Sequence, residues 1–264
     1  MAISKWAAVC TVTGLPIVAI STRLLPFHRA RHEQRASPTH WDSFVLSVIT
    51  PSRHQGSQET YSLLIPASRF RDDLSDEEIL ARFTKGFFCG PAFTPERWLL
   101  SAIPFTITDI SAIKKTLTIR SQNTVPGLVV GPEIWDPSSI SPKLTPSVAS
   151  LLFGNFLVLD SSMLTVAHQS QLPEDYVLHV KPPHAFVELA WGGTTLGLVG
   201  SHRFEASRCR IGHAAEAEEF IKVTLSTVSC VTKTGLAPSK YLMWFHVLYA
   251  KLLFSDGIRR VLAE

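Results

Sequence analysis

The chain has 264 residues, of which 45% are apolar and 18% charged, and carries a net charge of +3. That is too apolar for disorder and ample for a core in one large domain or two small ones. Its basic residues are dispersed rather than gathered in a stripe with interleaved aromatics, so nucleic acid is not an indicated partner.

Trp6 to Thr22, between Lys5 and Arg23, is a run of seventeen uncharged residues. Seventeen is the short limit for a membrane-spanning helix, and Gly14 and Pro16 weaken it. A cleaved signal peptide, for which Ala19-Ile20-Ser21 offers a small-x-small site, and a buried helix are the alternatives. Arg23, Arg29, Arg31 and Arg35, with His28 and His32, follow as a basic segment, and positive charge marks the cytosolic side of a membrane. Residues 1–36 are therefore expected to form a hydrophobic anchor and basic linker. Residues 37–264 are expected to form the domain, held at the membrane and facing the cytosol.

Trp41–Ile49 reads as a first strand and Pro51–Glu59 as a polar loop. Leu74–Phe88 reads as a helix, capped by Ser75 with Glu78 three residues on. Gly90-Pro91 ends it. Thr94-Pro95-Glu96 opens a second helix, with Thr94 as cap and Pro95 in the first position, expected to run past a bend at Pro104 towards Lys115. The proline-rich section 125–146 reads as irregular. Strands then follow one another: Leu151–Asp160, Met163–His168, Tyr176–Val180, Ala185–Trp191, Leu196–Ala206 and Phe220–Val231. After a Gly-Leu-Ala-Pro break, Ser239–Leu262 reads as one long apolar helix. Segregated strands and helices predict an α+β fold. The layout is that of a START-like helix-grip domain, in which a curved antiparallel sheet wraps a long C-terminal helix around an apolar cavity.

Three groups of residues carry a resemblance. They are Thr227-Val228 in the last strand; Gly235-Leu236, Tyr241, His246 and Arg259-Arg260-Val261-Leu262 at and in the final helix; and FxELAWGGTTLGLVGSHRFEASR in the paired strands before them. The chain resembles a bacterial domain family of unknown function, sometimes fused behind short-chain-dehydrogenase-like domains, that closes in this way. Its layout is also similar to that of small cofactor-free proteins of fungal secondary-metabolite clusters, some of which catalyse cyclisations, isomerisations or cycloadditions in an apolar pocket. Fold analogy alone does not establish function.

The period of two places His202 on one strand face with Leu198, Gly200, Phe204 and Ala206, where a histidine can act as general acid, general base or hydrogen-bond donor to a carbonyl. Its plainer role is a hydrogen-bonded core histidine. Asp160, sharing a face with Phe156 and Val158, and Asp42, in line with Phe44, Leu46 and Val48, are candidates to polarise it; either can equally serve a turn or a strand start. Glu188 is expected to face solvent. Phe204, Thr227, Trp244 and His246 are candidate ligand contacts, with Ser229 beside Thr227.

No HExxH, HxH or CxxC occurs, so no metal site is indicated. The GxGxxG, GxxxxGK[ST] and GxSxG signatures are also missing. The expectation is a cofactor-independent enzyme that cyclises or isomerises a hydrophobic polyketide or terpenoid, a Diels-Alder-type reaction included. A lipid or metabolite carrier and a membrane-tethered scaffold are the alternatives.

Overall fold

The computed structural model describes residues 30–50, 56–71, 74–102, 132–162, 185–193, 198–211, 218–231 and 240–263. In chain order these form β1 (Arg31–Glu33), α1 (Pro38–Trp41), α2 (Phe44–Ile49), β2 (Gly56–Pro66), α3 (Asp76–Cys89), α4 (Thr94–Ala102), β3 (Glu133–Ile134), β4 (Leu151–Leu152), β5 (Phe156–Ser161), β6 (Ala185–Gly193), β7 (Leu198–Ile211), β8 (Glu218–Val231) and α5 (Lys240–Leu262). The fold is α+β. One eight-stranded sheet runs β1-β2-β8-β7-β6-β5-β4-β3, antiparallel except for the β3–β4 pair.

Helices cover both faces of this sheet. Its inner face carries Leu63, Val187, Leu189, Phe204, Leu225 and Val223, which pack with Phe83, Phe87, Phe88, Phe254 and Ile258 of the helices in one core. α3 lies directly on β6 and β7, and α5 packs mainly along α3. Two glycines permit that close approach: a Cβ on Gly86 would stand 2.5 Å from the Asp256 carbonyl oxygen, and one on Gly257 2.5 Å from the Phe83 ring. The Asp256 carboxylate also accepts from the Ala92 amide at 2.8 Å and so ties α5 to the α3–α4 turn.

On the outer face, Val45 and Val48 of α2 pack with Leu157, Leu159 and Ala190, and Leu46 packs with Val199, Val228 and Cys230. Trp41–Ile49 is thus two short helices and not a strand. Ser37 and Ser43 cap them by accepting from the amides of His40 and Leu46. The run of β-branched residues suggests a strand, but the two serine caps and burial of one helical stripe on the sheet prevail.

Gly56–Glu59, expected in a loop, instead begins β2, which pairs with β8 over its whole length. The first residues of β2 are polar on both faces, which hides the strand's alternation. β1 continues the sheet beyond β2, so Arg31–Glu33 and the buried Ala36 belong to the folded unit, inside the segment expected to be linker.

The α3 helix is as expected, with the Ser75 hydroxyl accepting from the Glu78 amide. Thr94 is the first residue of α4 rather than its cap, and its hydroxyl donates back to the Gly90 carbonyl. Leu151–Asp160 divides into the β4–β5 hairpin, turning through Phe153 (φ 51°) and Gly154 (φ 66°). The expected strands Met163–His168 and Tyr176–Val180, the continuation of α4 beyond residue 102, and the apolar run 6–22 lie outside the described residues. Among the described residues, no helix is long and apolar enough to cross a membrane.

Candidate functional site

Sheet register brings Leu189, His202, Thr227 and Glu59 into one row across β6, β7, β8 and β2, all on the inner face. His202 is the polar centre of this row. The rings of Phe87, Phe156, Trp191 and Phe204 lie 5.8, 6.0, 5.6 and 6.5 Å from its own, and its Nδ1 is 3.1 Å from the Thr227 hydroxyl. The imidazole is nonetheless only half-buried. A side chain ringed by aromatic walls yet still partly open is a candidate ligand contact.

Burial, with the charges of His246 and His40 adding to it, depresses the His202 pKa to about 3. It is therefore neutral at physiological pH: a hydrogen-bond donor or acceptor, and a poor base.

Two further polar atoms belong to this region. Trp191 Nε1 and His246 Nε2 are buried and have no hydrogen-bond partner among the described residues. Buried donors without partners are uncommon and mark places where a protein meets water or a ligand. Trp191 lies flat over β7 because residue 200 is glycine: a Cβ there would stand 2.3 Å from the indole ring. His246 reaches in from α5, and burial lowers its pKa against the opposing pull of Glu59.

One turn further along α5, Tyr249 donates to the Glu96 carboxylate of α4 at 2.6 Å. Glu96 is only half-buried by surface but strongly desolvated, and burial raises its pKa to about 7 despite the Tyr249 bond. The start of α4 adjoins the same aromatic cluster through Phe93, whose ring lies 5.7 Å from that of Phe156.

Of the residues expected from sequence, His202, Thr227 and His246 come together. Asp160 does not. A bulge between Val158 and Asp160 shifts the register, pairs Asp160 with Glu188 and turns it to the outer face, away from His202. Burial and the Glu188 charge raise its pKa. Asp42 ends α1 on the exposed side of the molecule. Phe204 is fully buried among Phe83, Phe87 and Phe88, so it has no surface to offer a ligand. Trp244 is 68% exposed and points outward from the first turns of α5.

Glu188, expected in solvent, is fully buried beneath α1 and α2. It accepts from Ser43 Oγ at 2.7 Å, Ser201 Oγ at 2.8 Å and Arg203 Nη1 at 2.9 Å. His40, equally buried, sits between Ser226 Oγ on Nδ1 and Ser201 Oγ on Nε2, both at 2.8 Å. Ser201 accepts from Nε2, which also faces the Glu188 carboxylate at 3.4 Å. This serine–histidine–glutamate group resembles a hydrolase triad in composition only. It is sealed from solvent, and its chemistry is to clip α1 and α2 to the sheet.

No protein-family profile matches the chain, and no curated protein or solved structure is similar to it.

Proposed function

We propose that the protein is an enzyme acting on a hydrophobic small molecule held in the recess between the sheet and α3, α4 and α5, in the manner of a START-like helix-grip cavity. The reaction is an isomerisation or cyclisation that proceeds by proton transfer. The observation that carries this reading is the half-open, neutral His202, ringed by aromatic side chains and flanked by two buried polar atoms without partners.

The roles follow from the charge states. A neutral imidazole polarises a carbonyl oxygen by donating from Nε2, provided Thr227 donates to Nδ1. Thr227 is thus a positioning residue. Glu96, with a pKa of about 7, is poised to take a proton from carbon and return it elsewhere on the same ligand, because a base matched to ambient pH serves both steps. The aromatic walls hold the substrate near its reacting geometry, which by itself lowers the barrier substantially. A polyketide or terpenoid has the apolar bulk to fill such a site, and an anchor within residues 1–29 would place it beside membrane-dissolved substrate.

The test is mass spectrometry of small molecules retained by the full chain purified from its native host, wild type and His202→Ala side by side. The reading expects one hydrophobic compound, converted with wild type and unconverted with the variant. Mixed lipids in both, or the same unconverted compound in both, indicate a carrier and overturn it.

A further inference from the structure

We infer that the Trp191 indole N–H and His246 Nε2 form a subsite for a neutral carbonyl oxygen, so that the ligand is a ketone, aldehyde, lactone or quinone and not a fatty acid. This deepens the proposed function and rests on the same recess.

Trp191 can only donate, so whatever meets its Nε1 must be an acceptor. The side chain is 9% exposed and Nε1 is buried. The indole cannot turn away to find another partner, being stacked at 29° on the His202 ring and laid against the backbone at Gly200. His246 enters from the opposite layer, close enough for its charge to depress the titration of His202. In the tautomer with its proton on Nε2, His246 is a second buried donor without a partner. Buried donors without partners suit a carbonyl oxygen, whose lone pairs need partners.

Charge selects between a neutral oxygen and a carboxylate. Glu59 lies in the same cross-strand row as His202, and Glu96 stands one helical turn from His246 through Tyr249. The two histidines are neutral. Among the described residues packed around His202 none is lysine or arginine. A carboxylate brought there would be desolvated with no lysine or arginine among those residues to compensate it, which disfavours its binding. A neutral carbonyl meets no such penalty.

Fluorescence titration of the full chain with two probes tests this. Prodan is an apolar naphthyl ketone, and 11-dansylundecanoic acid is an apolar carboxylate. Prodan should bind with a blue shift and the acid at least tenfold more weakly. Trp191→Phe, which keeps the aromatic wall and deletes the donor, should weaken Prodan about three- to tenfold, as loss of one hydrogen bond does. His246→Phe should act in the same direction and covers the case in which Trp191→Phe does not fold. Tighter binding of the acid, or Prodan binding unchanged in both folded variants, overturns the subsite while leaving the recess intact. If neither probe binds wild type, the subsite and the recess fail together. Prodan binding that depends on Trp191, in a protein that converts no retained compound, upholds the subsite and removes only the catalytic reading.

Discussion

Replacing Glu188 with alanine tests the outer-face clip, where sequence and structure point in opposite directions. Three donors, Ser43 Oγ, Ser201 Oγ and Arg203 Nη1, converge on its carboxylate within 2.9 Å, and the residue is fully buried. Glu188→Ala leaves the Arg203 guanidinium facing a cavity, held only by Glu205 at 2.6 Å and by the Phe186 ring beneath it. Removing one partner of a buried ion pair costs about 3–5 kcal/mol. A typical domain has about 5–15 kcal/mol in total, so the loss should be large against the whole. Urea unfolding at pH 7.5, followed by tryptophan fluorescence, measures it. A solvent-facing glutamate would change stability by no more than about 0.5 kcal/mol, and a result in that range refutes the buried clip. The double change Glu188→Leu with Arg203→Met should cost less than Glu188→Ala alone, since it leaves no unpaired charge behind. Acid provides a second check. Burial pushes the Glu188 pKa up, but the hydrogen bond and charge from His40, with Arg203 and Ser43, outweigh it and leave the pKa below 4.5. A carboxyl depressed in the folded state stabilises above its unfolded pKa and loses that contribution as pH falls through the folded value. Wild type should therefore lose stability below about pH 4.5 by this route, and Glu188→Gln should lose less.

Glu96 behaves in the opposite sense. Its folded pKa of about 7 lies above 4.5, so its stabilising contribution is complete below the unfolded value and lost as pH rises through 7. Thermal melts across pH 5–8.5 should show that decline, and Glu96→Gln should flatten it. His202, depressed to about 3, should show no titration of its ring protons by NMR between pH 5 and 8, with a midpoint near 6.5 contradicting its burial. Gly86→Ala should lower the urea midpoint even though alanine favours helix by up to about 1 kcal/mol, because its Cβ meets the Asp256 carbonyl and the Arg260 Cβ at 2.5 and 2.6 Å. Trp244→Ser, on an exposed side chain, should leave stability within about 0.5 kcal/mol of wild type.

The segregation of strands and helices, the strands around His202, helices α3 and α5 and the inward direction of His202 were all legible, because long alternating or apolar runs between clear breaks carry their own period. Three features were not. Trp41–Ile49 has strand-like composition, and only the sheet beneath it makes it helical. With α2 unrecognised, the outer face looked solvated, and Glu188 with it. Asp160 failed for a subtler reason: a single bulged residue inverts every facing beyond it, and no local signal marks the bulge. Glu96 was visible as the acidic residue of a helix first turn, an ordinary position. Its hydrogen-bond partner, Tyr249, is 153 residues away in sequence. Trp191 had one legible sign, the glycine at 200, but that acquires meaning only once register sets the two opposite each other.

The most direct test of proton transfer in the recess uses the solvent. Wild type and Glu96→Gln, each bearing the compound retained on purification, are transferred to deuterium oxide at pD 7.5, and the compound is extracted and weighed by mass spectrometry. Proton transfer through Glu96 predicts deuterium on carbon next to a carbonyl with wild type, and at least a hundredfold slower uptake with the variant, in line with the contribution of a general acid–base group of about 10²–10⁴. No uptake with wild type, or equal uptake in both, would contradict it.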